Sequence, residues 1–316
     1  MKLLSVVVPC YNEEEMLEGF YRETVPVLEG CGWDYELIFV NDGSTDATPA
    51  VQKRLAGENS RVKIVGFSRN FGHEAAMIAG IDHARGDGVI CMDADLQHPP
   101  ACIPEIVERF EQGYDVVTMV RRSNEGQRLW RRAASKGFYR LLNALSPVRF
   151  QENASDFFGI SRRSAEILRT QYRERVRYLR GFVQSLGYRC CAIEYRAGRR
   201  VSGESHYSLP RLIHFSVTTL CGFSDVPLKL GIYAGLLAGG LGVILMVYSI
   251  VKRLFFNDTV DGYTTIVVAL CFLFALTLLV IGIIGEYVSV LMQELKGRPI
   301  YLVEELVNFD RRDGEE

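Results

Sequence analysis

An α/β fold built on a mostly parallel sheet, followed by a pair of long apolar helices, is what this 316-residue sequence predicts, and three observations carry it. Short β-branched runs alternate with helix-length segments up to about residue 205, several of these runs end in Asn, Asp, Gly or Ser, and past Pro227 the chain turns uncharged and apolar. Alternation at this spacing predicts a sheet covered by helices, with ligand groups at the carboxyl ends of the strands.

The predicted strands are 3–8, 35–40, 62–67, 89–92 and 116–120, and the helix-length segments between them include 13–29, 73–83 and 103–112. The N-terminal run is too short for a signal peptide and stops at Pro9, which suits a first strand. Residues 230–251 and 262–285 are each long enough, as helices, to cross a hydrocarbon core of about 30 Å, and the short connection between them makes a hairpin. A buried pair of core helices is the alternative, but soluble helices rarely run that far without charge. Arg211, Lys229, Lys296 and Arg298 outnumber Lys252 and Arg253 of the connection, a bias that places both long ends in the cytoplasm. Residues 209–223 suit a helix in the membrane interface or an amphipathic core helix. The expected organisation is a catalytic domain at 1–205, an interfacial segment at 206–228, a membrane hairpin at 229–292 and a cytoplasmic tail at 293–316.

Charge and cysteine usage narrow the function. With 36 basic and 38 acidic residues the net charge is -2, which argues against a nucleic-acid binder. The eight cysteines form no C-x-x-C pair, so reduced thiols are expected rather than a zinc site.

The first strand ends in Pro9-Cys10-Tyr11-Asn12-Glu13-Glu14-Glu15 and the second in Asn41-Asp42-Gly43-Ser44-Thr45-Asp46. Singly these read as helix caps and turns. The fourth runs into Asp93-Ala94-Asp95-Leu96-Gln97-His98. In extended chain, residues two apart face one way, so Asp93, Asp95 and Gln97 offer three oxygens to a hard divalent cation, magnesium or manganese. Neither a G-x-G-x-x-G nor a G-x-x-x-x-G-K-[ST] loop is present to suggest a dinucleotide site or a P-loop.

Together these strand ends resemble the nucleotide-binding start and the metal motif of family 2 glycosyltransferases. The resemblance implies a GT-A type, Rossmann-like domain in which Pro9, Tyr11, Glu13 and Asp42 hold the base and ribose of a nucleotide-sugar. It puts Asp93 nearer the ribose or the metal, and Asp95 and Gln97 on the metal. Asp156 matches the region of the family's general base; against an ionised phosphate acceptor it would orient the nucleophile or take up a residual proton. Arg200-Val201-Ser202-Gly203-Glu204-Ser205-His206-Tyr207 is similar to the Arg-x-x-Gly-Glu-Ser-Lys-Tyr segment of polyprenyl-phosphate glycosyltransferases, with His206 in place of the lysine. On that likeness Arg121, Arg131 (or its neighbour Arg132), Ser135, Arg200 and Ser205 are ligands of the acceptor phosphate and the diphosphate.

The implied reaction is inverting transfer of a hexose, with UDP-glucose favoured over GDP-mannose, UDP-GlcNAc or a UDP-aminopentose, to undecaprenyl or dolichyl phosphate. The implied setting is the inner (cytoplasmic) membrane, multi-pass, catalytic domain in the cytoplasm, as a homo-oligomer with the tetramer favoured. A processive synthase lacks support because Gln127-Arg128-Leu129-Trp130 is not Gln-x-x-Arg-Trp. A catalytically silent scaffold serving a partner such as a lipid flippase is the reading from another class.

Overall fold

The computed structural model describes residues 2–122, 154–174, 178–198, 226–256 and 263–309. They belong to two compact units, Met1–His206 with Arg298–Glu316, and Tyr207–Gly297.

The first unit runs β1 (Leu3–Cys10), α1 (Leu17–Gly30), β2 (Asp34–Asn41), α2 (Thr48–Glu58), β3 (Val62–Phe67), α3 (His73–His83), β4 (Gly88–Cys91), α4 (Ile103–Glu111), β5 (Val116–Arg121), β6 (Ala154–Ser161), α5 (Arg162–Thr170), α6 (Leu179–Ser185) and β7 (Cys190–Tyr195). It ends with β8 (Val303–Val307), which comes from beyond the second unit. The strand order is β7-β5-β6-β4-β1-β2-β3-β8. The strands β3, β2, β1 and β4 are parallel, as expected. The flanks depart from that expectation: β6 is antiparallel to both β4 and β5, β8 is antiparallel to β3, and the sheet as a whole is mixed.

β1 is buried from Leu4 to Cys10, as a strand covered on both faces must be. Helix α3 lies close on it because Gly80 has no side chain; a Cβ there would overlap the Val7 methyls. One polar cluster interrupts the apolar core at the amino ends of the strands. Glu36, 2% exposed, accepts from Ser5 Oγ at 2.5 Å, from Lys63 Nζ at 2.6 Å and from the Arg85 amide at 2.6 Å.

The second unit holds α7 (Val226–Phe256) and α8 (Tyr263–Leu295), with Gly231 facing Val280 where they pack. Leu236, Leu237, Phe274 and Leu278 are 66–75% exposed, so apolar side chains cover the outside of the pair. Among the described residues one stretch, Phe272–Leu295, is long and apolar enough to cross a membrane, with a mean hydropathy of 2.2 and none of it buried. Among the described residues of the other helix, α7, the apolar run is Gly231–Ile244. The expected interfacial helix at 209–223 lies outside the described residues.

Candidate active site

The first two strand ends are stitched to each other. Asn12 adopts a left-handed conformation, φ 56°, which turns its amide to Ser44 Oγ at 3.1 Å while its side-chain oxygen accepts from the Thr45 amide at 2.8 Å. The Glu13 amide donates to Thr48 Oγ1 at 2.8 Å, and Glu14 accepts from the Ala47 amide at 2.7 Å. Gly43, φ 66°, permits the tight turn after β2, where any Cβ would overlap the backbone of Arg69 and Asn70. Asp42, 3% exposed, accepts from the Phe71 and Gly72 amides at 2.6 and 2.9 Å and so fixes the chain that enters α3.

These contacts shape a cleft of about 340 Å³ whose lining includes Pro9, Tyr11, Glu13, Asp42, Asp93 and Asp95. All five residues expected to hold a donor, and the second aspartate, therefore share one cavity. Tyr11 is 47% exposed, a ring available at the mouth for stacking on a base.

Beyond β4 the chain departs from the expected alternation. The strand ends at Cys91 and Leu96 takes φ 58°, so Asp93, Asp95 and Gln97 lie on a turn, to which the two-residue period of a strand does not apply. Gln97 faces its neighbour instead: its amide and its Nε2 donate to Asp95 at 3.0 and 2.7 Å, bracing that carboxylate. His98, 6% exposed, accepts from the Asp93 amide at 2.9 Å through Nδ1 and stacks on Phe157, with Tyr195 edge-on. A ring accepting at Nδ1 carries its proton on Nε2. Gly198 donates to the Gln97 carbonyl at 3.3 Å, so the chain leaving β7 rests on the same turn.

Two carboxylates on a cleft wall fit a cation that fills its shell with water and substrate phosphate. Among the described residues no group of three or more His, Cys, Asp or Glu is placed to hold a metal ion.

Asp156 sits beside this wall. β6 runs antiparallel to β4 with Cys91 opposite Phe158, two residues along β6 from Asp156. The buried Cys91 thiol is pushed well up by burial and then by the charges of Asp156 and Asp93. Arg180 Nε lies 2.9 Å from Asp156 Oδ1, an ion pair not aligned as a hydrogen bond. The first turn of α3 meets both aspartates: His73 Nε2 is 3.5 Å from Asp93 Oδ1, and Glu74 feels the Asp156 charge.

The model of the glycosyl transferase family 2 domain matches residues 5–168, and the model of the GtrB C-terminal hairpin matches residues 226–291. The bactoprenol glucosyl transferase derived from the SfII prophage of Shigella flexneri is 35% identical over 95% of this chain and 97% of its own. The chain belongs to glycosyltransferase family 2. A prophage bactoprenol glucosyl transferase homolog of Escherichia coli is 33% identical over 95% of this family 2 chain and 98% of its own. Together with the hairpin match, these relatives put it in the bactoprenol glucosyltransferase-like branch. Among solved structures, glucosyl-3-phosphoglycerate synthase of Mycobacterium tuberculosis, in complex with Mn2+, UDP and phosphoglyceric acid, aligns with a TM-score of 0.50 at 21% identity, over 70% of this chain and 76% of that one. That likeness is one of fold, GT-A-like with a Rossmann-like core.

Of the residues expected to meet the acceptor, Arg121 ends β5 next to Tyr195 of β7. Arg131, Ser135, Arg200 and Ser205 lie outside the described residues. Sequence reasoning missed His73, Glu74 and Arg180. A His-Glu pair after a glycine at a helix start was a visible signal, but it reads equally as helix-dipole compensation; Arg180 carries no local pattern.

Proposed function

We propose that this protein transfers glucose from UDP-glucose to a polyprenyl phosphate such as undecaprenyl phosphate, with inversion at the anomeric carbon. The observation that carries the reading is the single cleft holding Pro9, Tyr11, Glu13, Asp42, Asp93 and Asp95 at the carboxyl ends of the central strands. The sugar and the acceptor are supported by the bactoprenol glucosyl transferases that align over nearly the whole chain.

Tyr11 stacks on the base, and Glu13 and Asp42 receive the ribose. Asp93 and Asp95 would hold a divalent cation, which when bound would supply positive charge to the departing diphosphate. An acceptor phosphate oxygen attacks the anomeric carbon as the bond from that carbon to the UDP oxygen breaks, so catalysis is chiefly positioning and charge stabilisation. Asp156 orients the acceptor and takes up any proton it still carries, while Arg121, Arg131, Ser135, Arg200 and Ser205 receive its phosphate. The helix pair α7 and α8 anchors the protein as a membrane hairpin with the cleft on the cytoplasmic side. The apolar exterior of both helices supports this.

The test follows label from radioactive UDP- and GDP-sugars into the organic phase, using full-length protein in detergent with undecaprenyl phosphate and manganese, with and without chelator. Chelator-sensitive extraction of glucose label is expected. Label from another sugar alone would overturn the donor assignment, and no label from any donor would leave the silent scaffold as the better reading.

A further inference from the structure

The proposed mechanism does not use Glu74, yet this acid is built into the cluster around Asp156. Its Oε2 and Asp156 Oδ1 are both shut off from solvent, and neither makes an aligned hydrogen bond among the described residues, while Arg180 lies in ion-pair distance of Asp156. The neighbours that bear on Glu74 are Asp156 on β6, Arg180 and the Leu179 amide on α6, and His73 on its own helix. His73 is engaged with Asp93. Among the described residues Arg180 is the permanent cation facing the two acids, and if both acids ionise these groups carry one negative charge in excess in a desolvated place, which burial strongly disfavours. A proton on one acid removes the excess and gives the buried carboxyl oxygens a donor.

We propose that Glu74 is a positioning residue for Asp156, holding that carboxylate together with Arg180 and carrying the proton that balances the cluster at one negative charge against one positive. Which acid carries the proton follows from their surroundings. Burial, and then the Asp156 charge, push the Glu74 carboxyl up to about 7. Ionisation of Glu74 places a second negative charge beside Asp156, competes for Arg180 and opposes the approach of an anionic acceptor. Because α3 presents His73 to Asp93 and Glu74 to Asp156, the cluster also ties the acceptor side to the donor side through one helical turn.

The inference rests on the reading of Asp156 as the group that meets the acceptor, and two readouts separate failure of one from failure of the other. Full-length wild type and Glu74→Gln are assayed for transfer from UDP-glucose to undecaprenyl phosphate between pH 6 and 8.5, with kcat and acceptor KM taken apart. Wild-type KM is expected to rise about tenfold more than that of the variant across this range, with the two within about threefold at pH 6. The acceptor's own titration is common to both and cancels. Parallel profiles, or a uniform loss of kcat at every pH, would mean that Glu74 only fills space, and would overturn the proposal.

Thermal melting of the same pair decides the matter without turnover: the wild type is expected to lose melting temperature relative to Glu74→Gln between pH 5 and 8, and a constant gap overturns the proposal. If Glu74→Gln does not fold, Asp156→Asn serves in melting, since removing its charge should move the wild-type inflection to lower pH; an unmoved inflection counts against coupling. If the wild type transfers no glucose, the reaction assignment fails and melting alone judges the role of Glu74.

Discussion

Gly198 touches the Asp93–Gln97 turn so closely that a side chain has no room: its amide reaches the Gln97 carbonyl at 3.3 Å, and a Cβ would overlap the carbonyl oxygen of Leu96. Two residues later the sequence reaches Arg200, assigned above to phosphate. The segment that would grip an anion thus starts from a point pinned to the turn carrying Asp95. Gly198→Ala should displace that turn and lower transfer by about 10- to 100-fold, the scale expected when reacting groups are misplaced by about an ångström. Its melting temperature should change little. Transfer assayed beside a melt checks this, and activity equal to wild type would show that the contact does not position the turn.

Asp95 stands braced by Gln97 on the wall of the cleft. Asp95→Ala should abolish sugar transfer while leaving membrane insertion intact, and chelator should do the same to the wild type. Gln97→Ala, which removes only the brace, should retain measurable transfer with a higher manganese requirement. A manganese titration of transfer in the three proteins distinguishes these outcomes.

Removal of the Glu36 carboxylate strands Lys63, the Ser5 hydroxyl and the Arg85 amide at once in a buried place. Breaking a buried pair from one side costs about 3–5 kcal/mol. Glu36→Ala should therefore unfold at distinctly lower denaturant concentration, with the donor cleft, at the other end of the strands, affected only through stability. Denaturant titration followed by Trp33 fluorescence measures it, and a cost below about 1 kcal/mol would show that the cluster relaxes on its own.

Stability should also depend on pH through Glu74. Its folded carboxyl is raised from 4.5 to about 7, so between these values the folded state holds a proton that the unfolded state has lost. Stability from this group is then complete below about pH 4.5 and falls as pH rises through 7, by about 3 kcal/mol at most. Chemical denaturation at pH 5 and pH 8 of wild type and Glu74→Gln isolates the contribution, since only the wild type carries it.

The parts of this molecule that were legible beforehand are those governed by local pattern. Strand β3 and helix α3 fall where periodicity put them, and the donor residues converge because carboxyl strand ends of a parallel sheet always do. The orientation of Gln97 was not legible, because the chain leaves extended geometry one residue before Asp93-Ala94-Asp95 is read as strand-like. Nor was Glu74: its environment is made by Asp156 and Arg180, 82 and 106 residues further along the chain. Strand β8 escaped notice for a related reason, since five residues with three apolar side chains announce nothing until β3 offers an edge.

That last strand sets an order of events for the nascent protein. β3 waits for a partner that lies more than two hundred residues downstream, on the far side of both apolar helices. At about 5–20 residues per second, synthesis leaves this edge bare for on the order of ten to fifty seconds. During that interval the growing chain displays unpaired amides and carbonyls, the template on which strands of other chains can add. Closure comes when Val303–Val307 is laid down, with the Tyr301 ring stacked on Phe67 and Asn308 donating to the Ala56 and Val62 carbonyls. The enzyme's sheet is complete only after its helical hairpin has been made.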